Sequence, residues 1–225
     1  MFDRKIRALL AATALLIGAP AFAVLSDEQF IDLCVDGTVT QVRAALDAGA
    51  KVDARDGQGA TALMFAISSR RRDVAALLLD RGADIDARDT AFGFTAFAHA
   101  AQSDPEPETL DFLLRRGAKI NTRSKTGLTP LMGAANGGAN PEVIALLLKA
   151  GAEINAADND GFTPLIWAAF SATPEVVSTL LDAGADARAR ERLHGKTVLD
   201  YATANPKMQG LQGMLVLQRL RERAR

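Results

Sequence analysis

Residues 163–170 read TPLIWAAF. Behind a Thr-Pro step stand the chain's single tryptophan, two alanines and a phenylalanine. The same frame returns at a fixed interval. Threonines occupy positions 61, 95, 129, 163 and 197, each 34 residues beyond the last, and open the segments TALMFAI, TAFAHAA, TPLMGAA, TPLIWAA and TVLDYAT. A second signal keeps step with the first: LLLDRGADIDARD, LLRRGAKINTRS, LLLKAGAEINAAD and LLDAGADARAR. Self-similarity at such a period marks an array of stacked supersecondary units, so TPLIWAAF is one copy of a repeat.

The residues of each copy predict its local structure. The hydroxyls of Thr129 and Thr163 can cap a helix N-terminus. Pro130 and Pro164 then fall at the first helical position, where no amide hydrogen is needed. The pairs Ala134–Ala135 and Ala168–Ala169 let neighbouring helices approach closely. A second helix carries apolar residues at helical spacing, as in Val143, Leu146, Leu147 and in Val176, Leu180, Leu181. It stops at Gly82, Gly117, Gly151 or Gly184, where a left-handed C-cap suits glycine. The extended ADIDARD and AEINAAD segments lead into hairpin-like loops.

The pattern resembles the ankyrin repeat family, whose signature is T-P-L-H-x-A, a second helix, and G-A-D-[VI]-N. The resemblance covers residues 24–225 and implies an all-α solenoid of helix-turn-helix units with β-hairpin-like loops, five to six repeats including degenerate caps. The units are 24–56 (N-terminal cap), 57–89, 90–124, 125–158, 159–190 and 191–225 (C-terminal cap). Ser26 with Gln29 forms a capping-box arrangement in the first unit, and Cys34 takes the place of the second small residue of the alanine pair, a buried position. The final LQGMLVLQRLRERAR predicts a longer helix with a charged outer face, suited to a terminal repeat. The family histidine is absent: Met64, Ala98, Met132, Ile166 and Asp200 stand there, which removes the imidazole that in the family ties helix to loop. Loop insertions sit in SDPEPE, NGGANPE and DTAFGF.

The 225-residue chain has a formal net charge of −1, 24% charged and 48% hydrophobic residues, an ordinary soluble composition without the basic excess of a nucleic-acid binder. Residues 1–23 stand apart: basic MFDRKIR, apolar ALLAATALLIGAP and a small-x-small AFA read as a secretory signal cut after Ala23. The apolar run is too short for a comfortable membrane span, which needs about 20 residues. Removing the segment leaves a net charge of −3 and predicts a periplasmic protein without stable membrane insertion. Cys34 is the only cysteine, so no internal disulfide forms.

No catalytic, cofactor or metal constellation is legible. His99 and His194 lie nearly three repeats apart, and helices packed about 8–10 Å from one another would hold them tens of ångströms apart. Zinc requires ring nitrogens about 2 Å away, so they cannot share one. There is no nucleophile elbow, phosphate loop or Cys-x-x-Cys pair. The acids fall at repeat positions such as Asp86 and Asp89, which loop hydrogen bonding explains.

The resemblance implies binding of another protein by a monomer, through loop tips and the positions after the alanine pair on a concave surface. Those helix positions are Ser68 and Ser69, Gln102 and Ser103, Asn136 and Gly137, Phe170 and Ser171. The loop positions are Gln58, Thr90, Phe92, Lys125, Asn159, Asp160, Arg192 and His194. Arg70-Arg71-Arg72, in the turn between two helices, reads as a solvated turn or a contact for an acidic partner. Trp167 stands where Phe65, His99, Gly133 and Tyr201 stand in other copies and is expected in the core, whereas Phe170 replaces Ser68, Gln102 and Asn136 and is expected at the interface with Phe92. The resemblance also admits two narrower roles: an immunity protein neutralising a periplasmic toxin, or an accessory protein of envelope or oxidative-stress defence that stabilises an enzyme.

Overall fold

The computed structural model describes residues 25–103, 106–137 and 140–224, and the segment read as an export signal lies outside them. Among the described residues there are twelve α-helices, one 3-10 turn and no strand. The chain divides into two compact units, the first ending at Ala96 and the second running from Phe97.

The first unit holds α1 (Asp27–Asp36), α2 (Val39–Asp47), α3 (Ala62–Ser68) and α4 (Arg72–Asp80). α1 packs on α2 and on α3, and α4 packs on α2 and on α3, so two helix pairs share one core. Phe30, Leu33, Cys34, Val42, Leu63, Val74 and Leu78 are withdrawn from water within it. The expected capping box is present: Ser26 Oγ accepts the Gln29 N–H at 3.2 Å and Gln29 Oε1 accepts the Ser26 N–H at 3.0 Å. Thr38 and Gln41 repeat the device before α2. Burial pushes the Cys34 thiol up to about 12, with the Arg71 charge opposing, so the group is a packed apolar side chain.

The second unit contains α5 (Ala96–Gln102), α6 (Pro107–Arg115), α7 (Pro130–Asn136), α8 (Pro141–Lys149), α9 (Pro164–Ser171), α10 (Pro174–Asp182), α11 (Val198–Ala204), the 3-10 turn Pro206–Met208 and α12 (Leu211–Arg223). α7, α9 and α11 lie side by side, α6, α8 and α10 form the layer behind them, and α12 closes against α10 and α11. Ala134, Ala135, Ala168 and Ala169 have no exposed surface, as expected of small residues between closely apposed helices.

The threonine columns work as predicted. Oγ1 of Thr61, Thr129 and Thr163 each accepts the N–H three residues on at 3.3 Å, and Thr197 does so at 3.2 Å. The family histidine is missing in all five copies, and in three of them another acceptor takes the reciprocal bond. The Sδ atoms of Met64 and Met132 lie 3.4 Å from the threonine N–H, and Asp200 Oδ2 accepts from Thr197 at 2.8 Å. The second helices end in left-handed glycines at 82, 117, 151 and 184, with φ of 88° to 93°.

The interhelical loops are short hairpins, shown by isolated antiparallel bridges at Arg55–Thr61 and Arg190–Thr197. Each opens on an acceptor side chain that turns back onto its own backbone. Asp56, Asp89, Ser124, Asp158 and Glu191 hold this place and accept N–H groups two to five residues further on. The one-residue insertion in DTAFGF is absorbed here, with the Asp89 N–H reaching Phe94 where Asp56 reaches Ala60.

α12 carries the expected charged outer face in its last turn, where Arg221, Glu222 and Arg223 are exposed, but its first half is apolar and open to water. Leu211, Met214 and Leu215 are exposed, while Arg219 turns back to Ser178 and Asp182, and Arg223 to the Leu181 carbonyl. Gly213 sets this rotation. A Cβ there would lie 1.9 Å from the Met208 carbonyl oxygen, so only glycine lets the helix seat with Val216 and Leu220 inward.

Candidate functional site

Asp158 is buried at the head of the loop preceding α9. Its Oδ1 accepts the N–H groups of Asp160 at 3.0 Å and Phe162 at 2.8 Å, which closes the loop. Its other oxygen, Oδ2, accepts the indole Nε1–H of Trp167 at 3.1 Å. One carboxylate thus orients both the loop and the ring one turn into α9.

Trp167 lies half-buried on this face and not in the core, which corrects the expectation from its column. The whole column explains why. Phe65, His99 and Tyr201 are also half-buried, and Gly133 is covered by Gln102, whose Cβ would stand 3.2 Å from a Cβ at that glycine. The position recurs as bulky because its inner edge packs, yet its outer edge faces water.

Around Trp167 the rings close a circuit. Phe162 stacks on Trp167 with centroids 4.8 Å apart and planes tilted by 36°. Phe170 meets Trp167 edge-on at 6.4 Å and 82°, and meets Tyr201 of α11 edge-on at 5.9 Å and 82°. Tyr201 returns to Phe162 at 5.5 Å. These tilted and T-shaped arrangements are the favoured ones for aromatic quadrupoles. Phe170 is nonetheless 53% exposed. Lys196 Nζ sits 5.7 Å from the centre of the Tyr201 ring.

The electrostatics are set by the loop into α11. Glu191 is buried, which acts to raise its pKa, but the N–H groups of Lys196, His194 and Leu193 outweigh this and hold the carboxyl below the ordinary glutamate range. Asp200 is held low by the Thr197 hydroxyl and N–H. Burial raises the Tyr201 phenol, and the Glu191 and Asp200 charges raise it further.

The sequence-predicted positions separate by unit. In the first, Phe92 is 60% exposed, its N–H is held by Asp89 Oδ1 at 2.6 Å, and its ring lies 5.9 Å from Phe94 of the same loop. Gln58 and Thr90 are laced together, the Gln58 carbonyl accepting from Thr90 N–H and Oγ1–H at 2.9 and 2.7 Å. Ser68 is exposed and Ser69 half-buried. The arginine run splits: Arg70 is exposed in a left-handed turn with φ 58°, while Arg71 donates to the Val35 carbonyl at 3.0 Å and pairs with Asp73 at 3.1 Å. Arg71 is thus engaged in the fold.

In the second unit Ser103 and Gly137 are exposed, whereas Gln102 and Asn136 are half-buried. Asn136 accepts from Ser171 Oγ at 2.9 Å through its carbonyl and 3.0 Å through Oδ1, next to Phe170 in the chain. Asn159 donates to the Lys125 carbonyl at 3.1 Å and accepts from Arg192 Nη1 at 3.1 Å. The Asp160 carbonyl accepts the Arg192 N–H at 2.7 Å, leaving its carboxylate in solvent. His194 is exposed, 3.9 Å from Glu191. The structure therefore gathers Phe170, Asn136, Asn159 and Asp160 into one unit and adds Phe162, Trp167, Tyr201 and Lys196, which sequence reading did not join to them.

Among the described residues no three His, Cys, Asp or Glu side chains are placed to hold a metal ion, and no helix is long and apolar enough to cross a membrane. A family profile described as ankyrin repeats (3 copies) matches residues 30–89 and 97–191. The chain belongs to the ankyrin repeat family. Ankyrin repeats generally mediate protein–protein interaction and are generally not catalytic. An ankyrin repeat-containing protein of Treponema pallidum is 33% identical over 132 residues, 58% of this chain and 43% of that relative. Ankyrin repeat and KH domain-containing protein 1 of Homo sapiens is 38% identical over 103 residues, 43% of this chain and 4% of the relative. B-cell lymphoma 3 protein of Homo sapiens is 37% identical over 75 residues, 32% of this chain and 16% of the relative. The matches thus span less than half of each of these relatives.

Proposed function

We propose that this ankyrin-repeat chain is an exported, periplasmic, non-enzymatic protein that binds another protein through the aromatic face of α9 and α11 and the adjoining loops. Export is supported by the pattern of residues 1–23, basic then apolar then small-x-small. The binding site is supported above all by Phe170, which stays 53% exposed while held edge-on between Trp167 and Tyr201. A ring so fixed loses little conformational freedom on binding and offers a large apolar area, the combination found at interface anchors. Asn136, bonded to Ser171 next to Phe170, supplies polar groups for its rim, and the exposed Asn159 and Asp160 of the loop before Phe162 extend the proposed surface.

The test begins with affinity capture from a periplasmic extract, followed by quantitative binding of the recovered protein. Phe170→Ala is expected to weaken binding by more than about 2 kcal/mol. Its cost to stability should be about 1 kcal/mol, because more than half of the ring is already in water. Phe92→Ala tests whether the exposed ring of the first unit takes part. Unchanged affinity with a large loss of stability would return Phe170 to a purely structural role, and repeated recovery of nothing above background would refute the binding role.

A further inference from the structure

We infer that the Tyr201 ring of the aromatic circuit is a seat for a basic side chain, arginine or lysine, of the bound protein, and that Lys196 occupies this seat in the free protein. The inference rests on the binding role proposed above and adds the chemistry of the group that is recognised.

Lys196 already shows that the seat accepts a cation. Its ammonium lies 5.7 Å from the Tyr201 ring centre, inside the distance at which a cation is drawn to an aromatic face. Its backbone is pinned separately from its side chain: the N–H donates to Glu191 Oε1 at 2.9 Å and the carbonyl accepts the Glu191 N–H at 3.1 Å. The flexible four-carbon stem can swing away without disturbing the loop. An incoming arginine would place a planar, weakly hydrated cation where Lys196 places a compact, strongly hydrated one, and would stack on the ring as well.

The charges around Tyr201 favour the same class of ligand. Glu191 and Asp200 both act on its phenol, and Arg190 and Lys196 act on Asp200. Arg190 is engaged with the Gly195 carbonyl at 3.1 Å. With Lys196 withdrawn, the Glu191 and Asp200 charges that act on this phenol favour a replacing cation and oppose an acidic group. Asp160, exposed on the loop before Phe162, adds negative charge to the same unit.

The experiment titrates the purified protein with three capped seven-residue peptides, glycine and serine around a central arginine, glutamate or leucine. Emission of Trp167, the chain's only tryptophan, reports occupancy of the circuit. The arginine peptide is expected to give a concentration-dependent change larger than that of the glutamate and leucine peptides. Lys196→Gln removes the resident cation and should tighten arginine-peptide binding about two- to five-fold, the range of one exposed cation–π contact. Lys149→Gln, the same charge change on α8, is the control for bulk charge and should have a smaller effect. In a Tyr201→Leu background the gain from Lys196→Gln should vanish. Circular dichroism checks folding, and Tyr201→Met replaces Tyr201→Leu if that variant melts.

Equal response to the arginine and glutamate peptides, or no tightening with Lys196→Gln beyond Lys149→Gln, overturns the inference. A captured partner whose affinity falls with Phe170→Ala but ignores Lys196→Gln leaves the binding role standing and removes the cation seat. The opposite pattern, peptides behaving as expected with no protein partner recovered, retains the seat and removes the proposed role.

Discussion

Asp158→Ala is the perturbation that most directly probes how the site is held. The native carboxylate accepts three hydrogen bonds, from Asp160 N–H, Phe162 N–H and Trp167 Nε1–H. Bonds to a charged acceptor contribute about 1.5–3 kcal/mol each when fully desolvated. The three donors here are partly accessible and recover some bonding to water, which lowers the figure to about 1 kcal/mol apiece. The expected loss is therefore about 3 kcal/mol. With a urea dependence of about 2 kcal/mol per molar, the unfolding midpoint should fall by about 1.5 M. Asp158→Asn separates the two halves of the device. Its carbonyl can still serve both loop N–H groups, but its amide would oppose the indole N–H, so about 1–1.5 kcal/mol should be lost. Urea unfolding followed by circular dichroism measures both variants, and native Trp167 emission reports release of the ring. A shift below about 0.5 M for the alanine variant, or equal losses for alanine and asparagine, would refute the assignment of this carboxylate as the organiser of loop and ring.

Three further outcomes follow from shifted ionisations. The Cys34 thiol, raised to about 12 by burial, should stay unmodified by a thiol reagent in the native protein and react only as the first unit unfolds; rapid native labelling would contradict its place in the core. The same shift implies stability that is present below pH 9.0, the ordinary thiol value, and is lost as the pH rises above it, because the unfolded chain then gains thiolate. Glu191 works in the opposite direction. Its folded pKa lies below the ordinary 4.5, so its contribution is complete above 4.5 and is lost as the pH falls through the folded value. Thermal melts of Glu191→Gln should accordingly show a weaker loss between neutral pH and about pH 3.5 than the parent. An unchanged profile would mean that the loop donors do not stabilise the charged form.

The fold was legible because its signals are local and repeated. A threonine cap, a proline at the first helical position and a glycine terminator each act within one turn of backbone; the threonine returns every 34 residues, the glycine every 33 to 35, and the proline in two consecutive copies. Ser26 with Gln29 could be read as a capping box from spacing alone, and the bonds are there. The site was less legible because its partners are close only through packing. Phe162 and Trp167 are near in sequence, but Tyr201 joins them only because α11 lies beside α9. Arg70 and Arg71 are identical in type and adjacent, yet a positive φ at Arg70 sends their side chains to different environments. The exposed Leu211, Met214 and Leu215 of α12 were hidden for a comparable reason, a backbone contact at Gly213 that sets the rotation of the helix.

The misplacement of Trp167 carries a wider lesson about columns in a repeat. Residues at the same register were bulky in four of five copies, which reads as core when apolarity is taken to mean burial. In a stack of short helices, however, a position can be sheltered on one edge by its own loop and open on the other. Its identity is then free to vary, because stability resides in the caps, the alanine pairs and the glycines on either side. Phe65, His99, Gly133, Trp167 and Tyr201 are the variants in this chain. Two consecutive copies that both carry rings make a patch, and Phe170 on the following turn of α9 completes it. Replacing Trp167 by glycine, as at position 133, should thus empty the patch while the threonine cap and alanine pair of α9 remain in place. That separation of scaffold from surface is what allows a repeat fold to acquire a partner without changing its architecture.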